Sequence, residues 1–174
     1  MSRAGLAAFT GAVLALSLAA GLTPVTHGRV RVIDGDTLEL TGPAWQMHRH
    51  ERVRLAGIDA PEKRQTCSDP YLGVYPCGKA AAEALRAVVA SREVSCSPDP
   101  RRDRYRRLIA HCAVAAGTGK PLDLGLYQVA SGHALAYRRY SVEYVRAEDA
   151  AKEYRLGVWS GSFDAPWDWR RLHH

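Results

Sequence analysis

The sequence predicts a single α+β domain. Five short stretches have the composition of β-strands, and three longer stretches have the apolar spacing or the end residues of helices. The 174 residues suffice for one domain with a single core, and the chain has no internal repeat and no low-complexity block. Strands mixed with helices in this way are typical of an α+β fold.

The first twenty residues predict a secretory signal peptide, followed by a linker at 21–28. Arg3 is their only charged residue, and residues 11–20 are almost entirely apolar, with small residues near the expected cut. The alternative is an uncleaved membrane anchor, because residues 4–22 carry no charge. Cleavage would remove one arginine and no acid, so the formal net charge would change from +6 to +5. After cleavage, no stable membrane association is expected.

Turn residues separate the five predicted strands. Asp34 and Gly35 form a common turn dipeptide between the first two strands. Pro61 cannot continue a central strand, so the third strand ends near Asp59. The predicted strands span about 29–33, 37–41, 52–59, 92–97 and 107–114. A polar connection with Pro43, Trp45 and His48 precedes the third strand.

Three helices follow from apolar spacing and end signals. Residues 78–92 place alanines, leucine and valine on one face and charged residues elsewhere. Asp123 is a predicted N-cap for a second helix, which ends at Gly132. The third helix is predicted over 141–156, with Gly157 as its stop.

The four cysteines allow three pairings. Cys67 and Cys77 share one loop, whereas Cys96 and Cys112 fall on consecutive antiparallel strands. We therefore predict the disulfides Cys67–Cys77 and Cys96–Cys112. The alternative is four buried thiols in a reducing compartment, which the predicted signal peptide disfavours.

Charged residues gather at the ends of three predicted strands. Arg54, Asp59 and Glu62 lie within nine residues of one another. The alternative interpretation is that this cation and these carboxylates form a structural salt bridge. Asp36 follows the first turn, and Arg107 begins the last strand. Together they supply carboxylates for a hard cation and two arginines for a phosphate.

These motifs, in this order, resemble those of the thermonuclease family of staphylococcal-nuclease-like proteins. The matching pieces are IDGDT at 33–37, RLAGIDAPE at 54–62, DRYRRLIA at 103–110, SGHALAY at 131–137 and GVW at 157–159. The resemblance places a nuclease-like domain at 29–159 and leaves a C-terminal extension at 160–174. It implies a five-stranded β-barrel of the oligonucleotide-binding type with three α-helices.

The resemblance also implies a role for each site residue. Arg54 and Arg107 match catalytic arginines, and Glu62 matches the general base. Asp36, Asp59 and Ala60 match the calcium ligands, with Ala60 contributing through its backbone carbonyl. The expected substrate contacts are Arg104, Tyr105, Tyr137 and Tyr140. The alternative for each is a solvated loop residue or an exposed ring that binds no substrate.

Two features depart from the family pattern or lie beyond it. Arg106 occupies a usual glycine position, so a positive φ there would cost about 1 kcal/mol or more and a shifted turn would misplace Arg107. The extra cation could equally favour phosphate binding. In the extension, Phe163, Trp167 and Trp169 are predicted to pack on the domain, with stacking on bases as the alternative.

The implied function is a secreted or periplasmic, calcium-dependent nuclease for DNA and RNA, expected to be a monomer. Its basic character, with a pI of about 9.4, suits a nucleic-acid substrate. The alternative is a non-catalytic nucleic-acid-binding module on the same barrel, although a pure binder needs neither both arginines nor the glutamate. A disulfide-stabilised surface adhesin would explain the export signal but not the site.

Overall fold

A computed structural model describes residues 26–41, 50–115, 117 and 119–173. The predicted signal peptide, residues 21–25 of the predicted linker and the connection with Pro43, Trp45 and His48 lie outside these residues. Within the part of the chain that is described, no helix is both long and apolar enough to cross a membrane.

Eleven short strands are present among the described residues. They are β1 (Thr26–Gly28), β2 (Val30–Val32), β3 (Thr37–Leu40), β4 (Arg52–Leu55), β5 (Ile58–Asp59), β6 (Cys67–Asp69), β7 (Gly73–Tyr75), β8 (Val94–Arg102), β9 (Leu108–Val114), β10 (Leu122–Asp123) and β11 (Leu135–Ala136). Alternate residues of β4 and β9 are buried, as expected for strands with one face on the core.

Seven of these strands form one mixed sheet in the order β1-β8-β9-β4-β3-β2, with β10 also paired to β9. Strand β4 runs parallel to β9, whereas the other pairs are antiparallel. Thr37 pairs with Arg54, and Val53 pairs with Leu108. This register brings the hairpin turn, the end of β4 and the residue preceding β9 to one edge of the sheet.

The four α-helices are α1 (Cys77–Val89), α2 (Leu124–Ala130), α3 (Val145–Glu153) and α4 (Pro166–His173). The predicted N-cap is confirmed, because the Asp123 side chain accepts a hydrogen bond from the Leu126 N–H. Gly132 and Gly157 both have positive φ and lie backbone to backbone, where a side chain on either would clash. Gly132 therefore ends α2, whereas α3 ends at Glu153, before the predicted stop at Gly157, and Arg155 has the positive φ that follows this helix.

The predicted counts of strands and helices are wrong. Pairing among the described residues gives a seven-stranded mixed sheet with two separate two-stranded sheets, rather than a closed five-stranded barrel. Strand β1 comes from residues 26–28 of the predicted linker, which pair with residues 94–96 along the edge of β8. Helix α4 is a fourth helix within the predicted extension.

Both predicted disulfides are present. Cys67–Cys77 joins β6 to the start of α1, and Cys96–Cys112 links directly paired positions of β8 and β9. Cys67 and Cys77 lie in a small apolar cluster with Leu135 and Val158, and Cys96 and Cys112 lie in the main core.

Candidate nuclease active site

The hairpin turn between β2 and β3 positions Asp36. Its backbone N–H donates to Asp34 Oδ1 at 3.1 Å, and the carbonyl of Gly35 accepts a 2.7 Å hydrogen bond from the buried Gln128 of α2. A Cβ on Gly35 would lie 2.7 Å from the Cβ of Ala60, so only glycine fits this close approach without a shift. The turn is thus locked, and Asp36 is buried with a fixed direction.

Arg54 joins the two predicted metal-binding aspartates. Its Nη1 donates to Asp36 Oδ1 at 2.7 Å, and its Nη2 donates to Asp59 Oδ1 at 2.5 Å. The second carboxylate oxygen of Asp36 accepts the backbone N–H of Ala60 at 2.9 Å. Four of the residues predicted for the site therefore lie together.

Glu62 lies just past the end of β5 and is held through its backbone. Its N–H donates to Gln65 Oε1 at 3.1 Å, while its carbonyl accepts the Gln65 N–H at 2.7 Å. The helix α1 begins directly against it, because a Cβ on Gly78 would lie 1.8 Å from the Glu62 carbonyl oxygen. The Glu62 side chain remains about one-third exposed, so water can reach its carboxylate.

Arg107 approaches the same cluster from the turn between β8 and β9. Its Nε donates to Asp103 Oδ2 at 2.6 Å, and its Nη1 donates to Thr37 Oγ1 at 3.1 Å. Thr37 in turn donates to Asp36 Oδ1 at 3.0 Å. Asp103 also accepts the backbone N–H groups of Tyr105 and Arg107, so this one carboxylate shapes the whole turn.

Arg106 does adopt a positive φ, of 65°. The strain expected from an arginine in this position is therefore present, at about 1 kcal/mol. Asp103 and Thr37 hold the Arg107 guanidinium that follows this turn. The carbonyl of Arg106 accepts a 2.8 Å hydrogen bond from Arg102 Nη1, which also steadies the turn.

The four predicted substrate contacts form two pairs of neighbouring side chains, Arg104 with Tyr105 and Tyr137 with Tyr140. Arg104 donates to the Tyr105 hydroxyl at 2.6 Å, and the Tyr105 ring is 63% exposed. Tyr140 is exposed as well, and its ring meets that of Tyr137 edge to face. Tyr137 is half-buried, and its ring stacks on Trp167 at 5.5 Å.

Burial and the neighbouring charges oppose each other in this cluster. It raises the pKa of the Asp36 carboxyl above its usual range, with Arg54 opposing that rise and Asp34 adding to it. For Arg54, burial acts to lower the pKa, but Asp36 and Asp59 raise it well above its ordinary value. Arg54 therefore stays a cation at any physiological pH.

Arg170 of α4 is a member of the cluster that was not predicted. Its Nη2 donates to Asp59 Oδ2 at 2.7 Å, and its Nη1 donates to Glu62 Oε1 at 2.7 Å and to Asp59 Oδ1 at 3.1 Å. Asp59 itself is fully buried. The only sequence signal was a pair of arginines amid tryptophans in the extension, outside every recognised motif.

The donor chemistry of this cluster suits calcium, which prefers carboxylate and carbonyl oxygens. Among the described residues, no three His, Cys, Asp or Glu side chains come together in an arrangement that could hold a metal ion. The carboxylates of Asp36 and Asp59 are instead matched by the guanidiniums of Arg54 and Arg170. Oxygen ligands are thus present, but cations of the chain itself already contact them.

The fold and this cluster together define a nuclease-like domain, with carboxylates and arginines at one edge of a β-sheet. The family model described as "Staphylococcal nuclease homologue" matches residues 52–161. The chain belongs to the staphylococcal nuclease family, whose domain is of the oligonucleotide-binding type.

Named relatives extend over most of the chain. A protein of Rhizobium meliloti (strain 1021), "Succinoglycan biosynthesis protein ExoI", is 38% identical over 154 residues, covering 86% of this chain and 74% of the relative. "Micrococcal nuclease" of Shigella flexneri is 32% identical over 152 residues, covering 82% of this chain and 78% of the relative. An "Uncharacterized endonuclease" of Escherichia coli O157:H7 is 30% identical over 148 residues, covering 83% and 84% respectively.

Proposed function

We propose that this protein, a hydrolase of the nuclease class, is an exported, calcium-dependent enzyme that cleaves phosphodiester bonds of DNA and RNA with little sequence preference. One observation carries the proposal. A continuous hydrogen-bonded network runs from Arg107 through Thr37 to Asp36, and from there through Arg54 to Asp59. Arg170 then connects Asp59 to Glu62, so all five predicted catalytic and acidic residues belong to one cluster.

The two family arginines suit the charge that develops during hydrolysis. Attack of water on the phosphorus places extra negative charge on the phosphoryl oxygens as the P–O bond to the leaving group breaks. Arg54 and Arg107 approach from neighbouring strands, and a planar guanidinium can donate two N–H groups to a phosphate. Their anchoring to Asp36, Asp59 and Asp103 fixes them before substrate arrives, so little reorganisation is needed.

Glu62 would accept the proton of the attacking water. It is the most exposed of the three carboxylates, since Asp36 and Asp59 are buried. Asp36, Asp59 and the backbone of Ala60 would hold the calcium ion, which when bound would stabilise negative charge on the phosphate. The Glu62 ion pair with Arg170 has to open before the carboxylate can take a proton from water.

Binding of the nucleic acid relies on basic and aromatic residues around the cluster. Arg104 and Tyr105 are exposed beside Arg107, and the Tyr105 ring lies under both guanidiniums. They are suited to a terminal phosphate, while the exposed ring of Tyr140 can stack on a base. The two disulfides agree with an oxidising compartment, which supports export.

A zymogram tests the proposal with the whole mature protein. Gels cast with DNA or RNA, renatured under non-reducing conditions, should show a cleared band with calcium and no band with a chelator. Magnesium should restore little clearing, because it demands a tighter octahedral arrangement and sheds water reluctantly. Full clearing in the chelator would refute the calcium requirement, and no clearing under any condition would favour the non-catalytic binding module.

A further inference from the structure

The C-terminal segment, residues 161–173, is fastened to the loop that the Cys67–Cys77 disulfide closes. Ser162 and Ser68 exchange two backbone hydrogen bonds of 2.9 Å. The side chain of Gln65, fully buried, donates to the carbonyl of Asp164 at 2.7 Å. Since Gln65 also binds the backbone of Glu62, the segment is anchored next to the catalytic glutamate.

Helix α4 follows these anchors but is itself only lightly packed. Trp167 stacks on Tyr137 with nearly parallel rings, and Pro166 is the one residue of α4 that is buried. The other described residues of the helix are half-buried or exposed. Undocking of α4 would break the Trp167 stack and uncover Pro166, while the rest of the helix buries little, so opening of the helix is a local event.

Arg170 is the link between this helix and the carboxylates. Its guanidinium makes three hydrogen bonds to Asp59 and Glu62, and it is only 22% exposed. Its neighbour Arg171 is 77% exposed and pairs with Asp168 of the same helix. One turn of α4 thus carries two arginines. Arg170 binds the carboxylates of the site, and Arg171 is exposed to solvent.

We propose that Arg170 is a built-in cation that competes with the divalent metal for Asp59 and pairs with the base Glu62, so that α4 docking and calcium binding exclude each other. The inference rests on the proposed function. A guanidinium within 3.1 Å of both oxygens of Asp59 leaves no room for a calcium ion on the same oxygens. It also repels a second cation, and it holds the Glu62 carboxylate that must accept a proton.

The consequence is a self-inhibited resting state. With α4 docked, the carboxylates of Asp36 and Asp59 are neutralised by arginines, and Glu62 forms an ion pair with Arg170. When calcium takes the place of Arg170, the helix is released and Glu62 becomes free to act on water. Because linkage is reciprocal, calcium must weaken α4 docking by the same factor by which α4 docking weakens calcium binding.

Calorimetric titration with calcium measures that factor directly. The probe is the mature, disulfide-bonded protein in three forms: wild type, Arg170→Met and Arg171→Met. Methionine keeps an apolar stem but removes the charge. The Arg170→Met protein should bind calcium at least ~10-fold more tightly than wild type, a typical coupling between linked sites. The matched Arg171→Met control should bind like wild type.

Hydrogen exchange on the wild type supplies a second measurement that needs no substitution. Saturating calcium should speed exchange of the α4 amides while leaving those of α2 unchanged. Unchanged or slower exchange in α4 with calcium bound would overturn the inference, as would equal calcium affinity in wild type and Arg170→Met. Calcium binding to none of the three proteins would overturn both this inference and the calcium dependence in the proposed function.

Discussion

Gly78 lies at the start of α1, where the helix meets the backbone of Glu62. A Cβ at this position would lie 1.8 Å from the Glu62 carbonyl oxygen and 2.6 Å from its carbonyl carbon. Cβ atoms essentially never approach non-bonded heavy atoms closer than about 3.0 Å. A Gly78→Ala substitution must therefore move the helix or Glu62 by about 1.2 Å, since both neighbouring atoms belong to the backbone.

The size of the effect on catalysis follows from that displacement. A shift of about 1 Å in a catalytic group costs on the order of 100-fold in rate. Alanine is the better helix former by about 1 kcal/mol, so any loss of stability must come from the contact with Glu62 rather than from the helix itself. Overpacking of this kind costs about 1–3 kcal/mol. We expect Gly78→Ala to lower turnover about 100-fold and to destabilise the fold by about 1–2 kcal/mol.

Turnover is measured on DNA with saturating calcium, well below the melting temperature of the variant, and stability by urea unfolding. Gly117→Ala is the matched control, because an added Cβ there would meet no atom within 4 Å. Wild-type turnover in Gly78→Ala would refute the reasoning, since it would mean that the backbone position of Glu62 does not limit the chemistry.

Two further predictions concern the arginine turn and the disulfides. Arg107→Ala should lower turnover at least ~100-fold while single-stranded DNA binding falls much less, because the guanidinium is proposed to interact most strongly with charge formed in the transition state. Kinetic and binding assays run in parallel check this, with Arg101→Ala as the exposed control. An equal loss of binding and turnover would contradict the prediction. Reduction of both disulfides, whose partners are 10 and 16 residues apart, should lower the free energy of unfolding by about 3 kcal/mol each. Urea unfolding of native and reduced protein measures that loss, and full stability after reduction would contradict the prediction.

Much of the site could be predicted because its signals are local. Asp36 follows a turn dipeptide, and Arg54 and Asp59 lie at the body and end of one strand, so turn chemistry and strand alternation place them. The edge that Asp36 and Arg54 share depends on the pairing of β3 with β4, and Arg107 reaches it through the parallel pairing of β4 with β9, which the sequence did not predict. The pairing of Cys96 with Cys112 followed from the antiparallel order of their strands, which is also a local signal.

The remaining parts depend on contacts between distant residues with weak local patterns. Arg170 reaches Asp59 across 111 positions of sequence, and no motif in the extension marks it as part of a site. Strand β1 has only three residues. Its extended structure is therefore decided by its pairing with β8 and not by its own composition. The supporting roles of Gln65 and Gln128 were likewise invisible, because a buried glutamine is identified by its partners and not by its neighbours in sequence.

The role of Glu62 is open to the most direct measurement. Glutamine keeps the shape of this side chain and can still accept a hydrogen bond from Arg170, but it cannot take a proton from water. Turnover and single-stranded DNA binding are measured on wild type, Glu62→Gln and the control Glu83→Gln, which changes an exposed acid of α1.

If Glu62 is the general base, Glu62→Gln loses at least ~100-fold in turnover. DNA binding then stays within a few-fold of wild type and weakens with added salt in both proteins, because phosphate contacts release counterions. Near-normal turnover in Glu62→Gln would contradict the assignment, and Glu62 would then be no more than an ion-pair partner of Arg170.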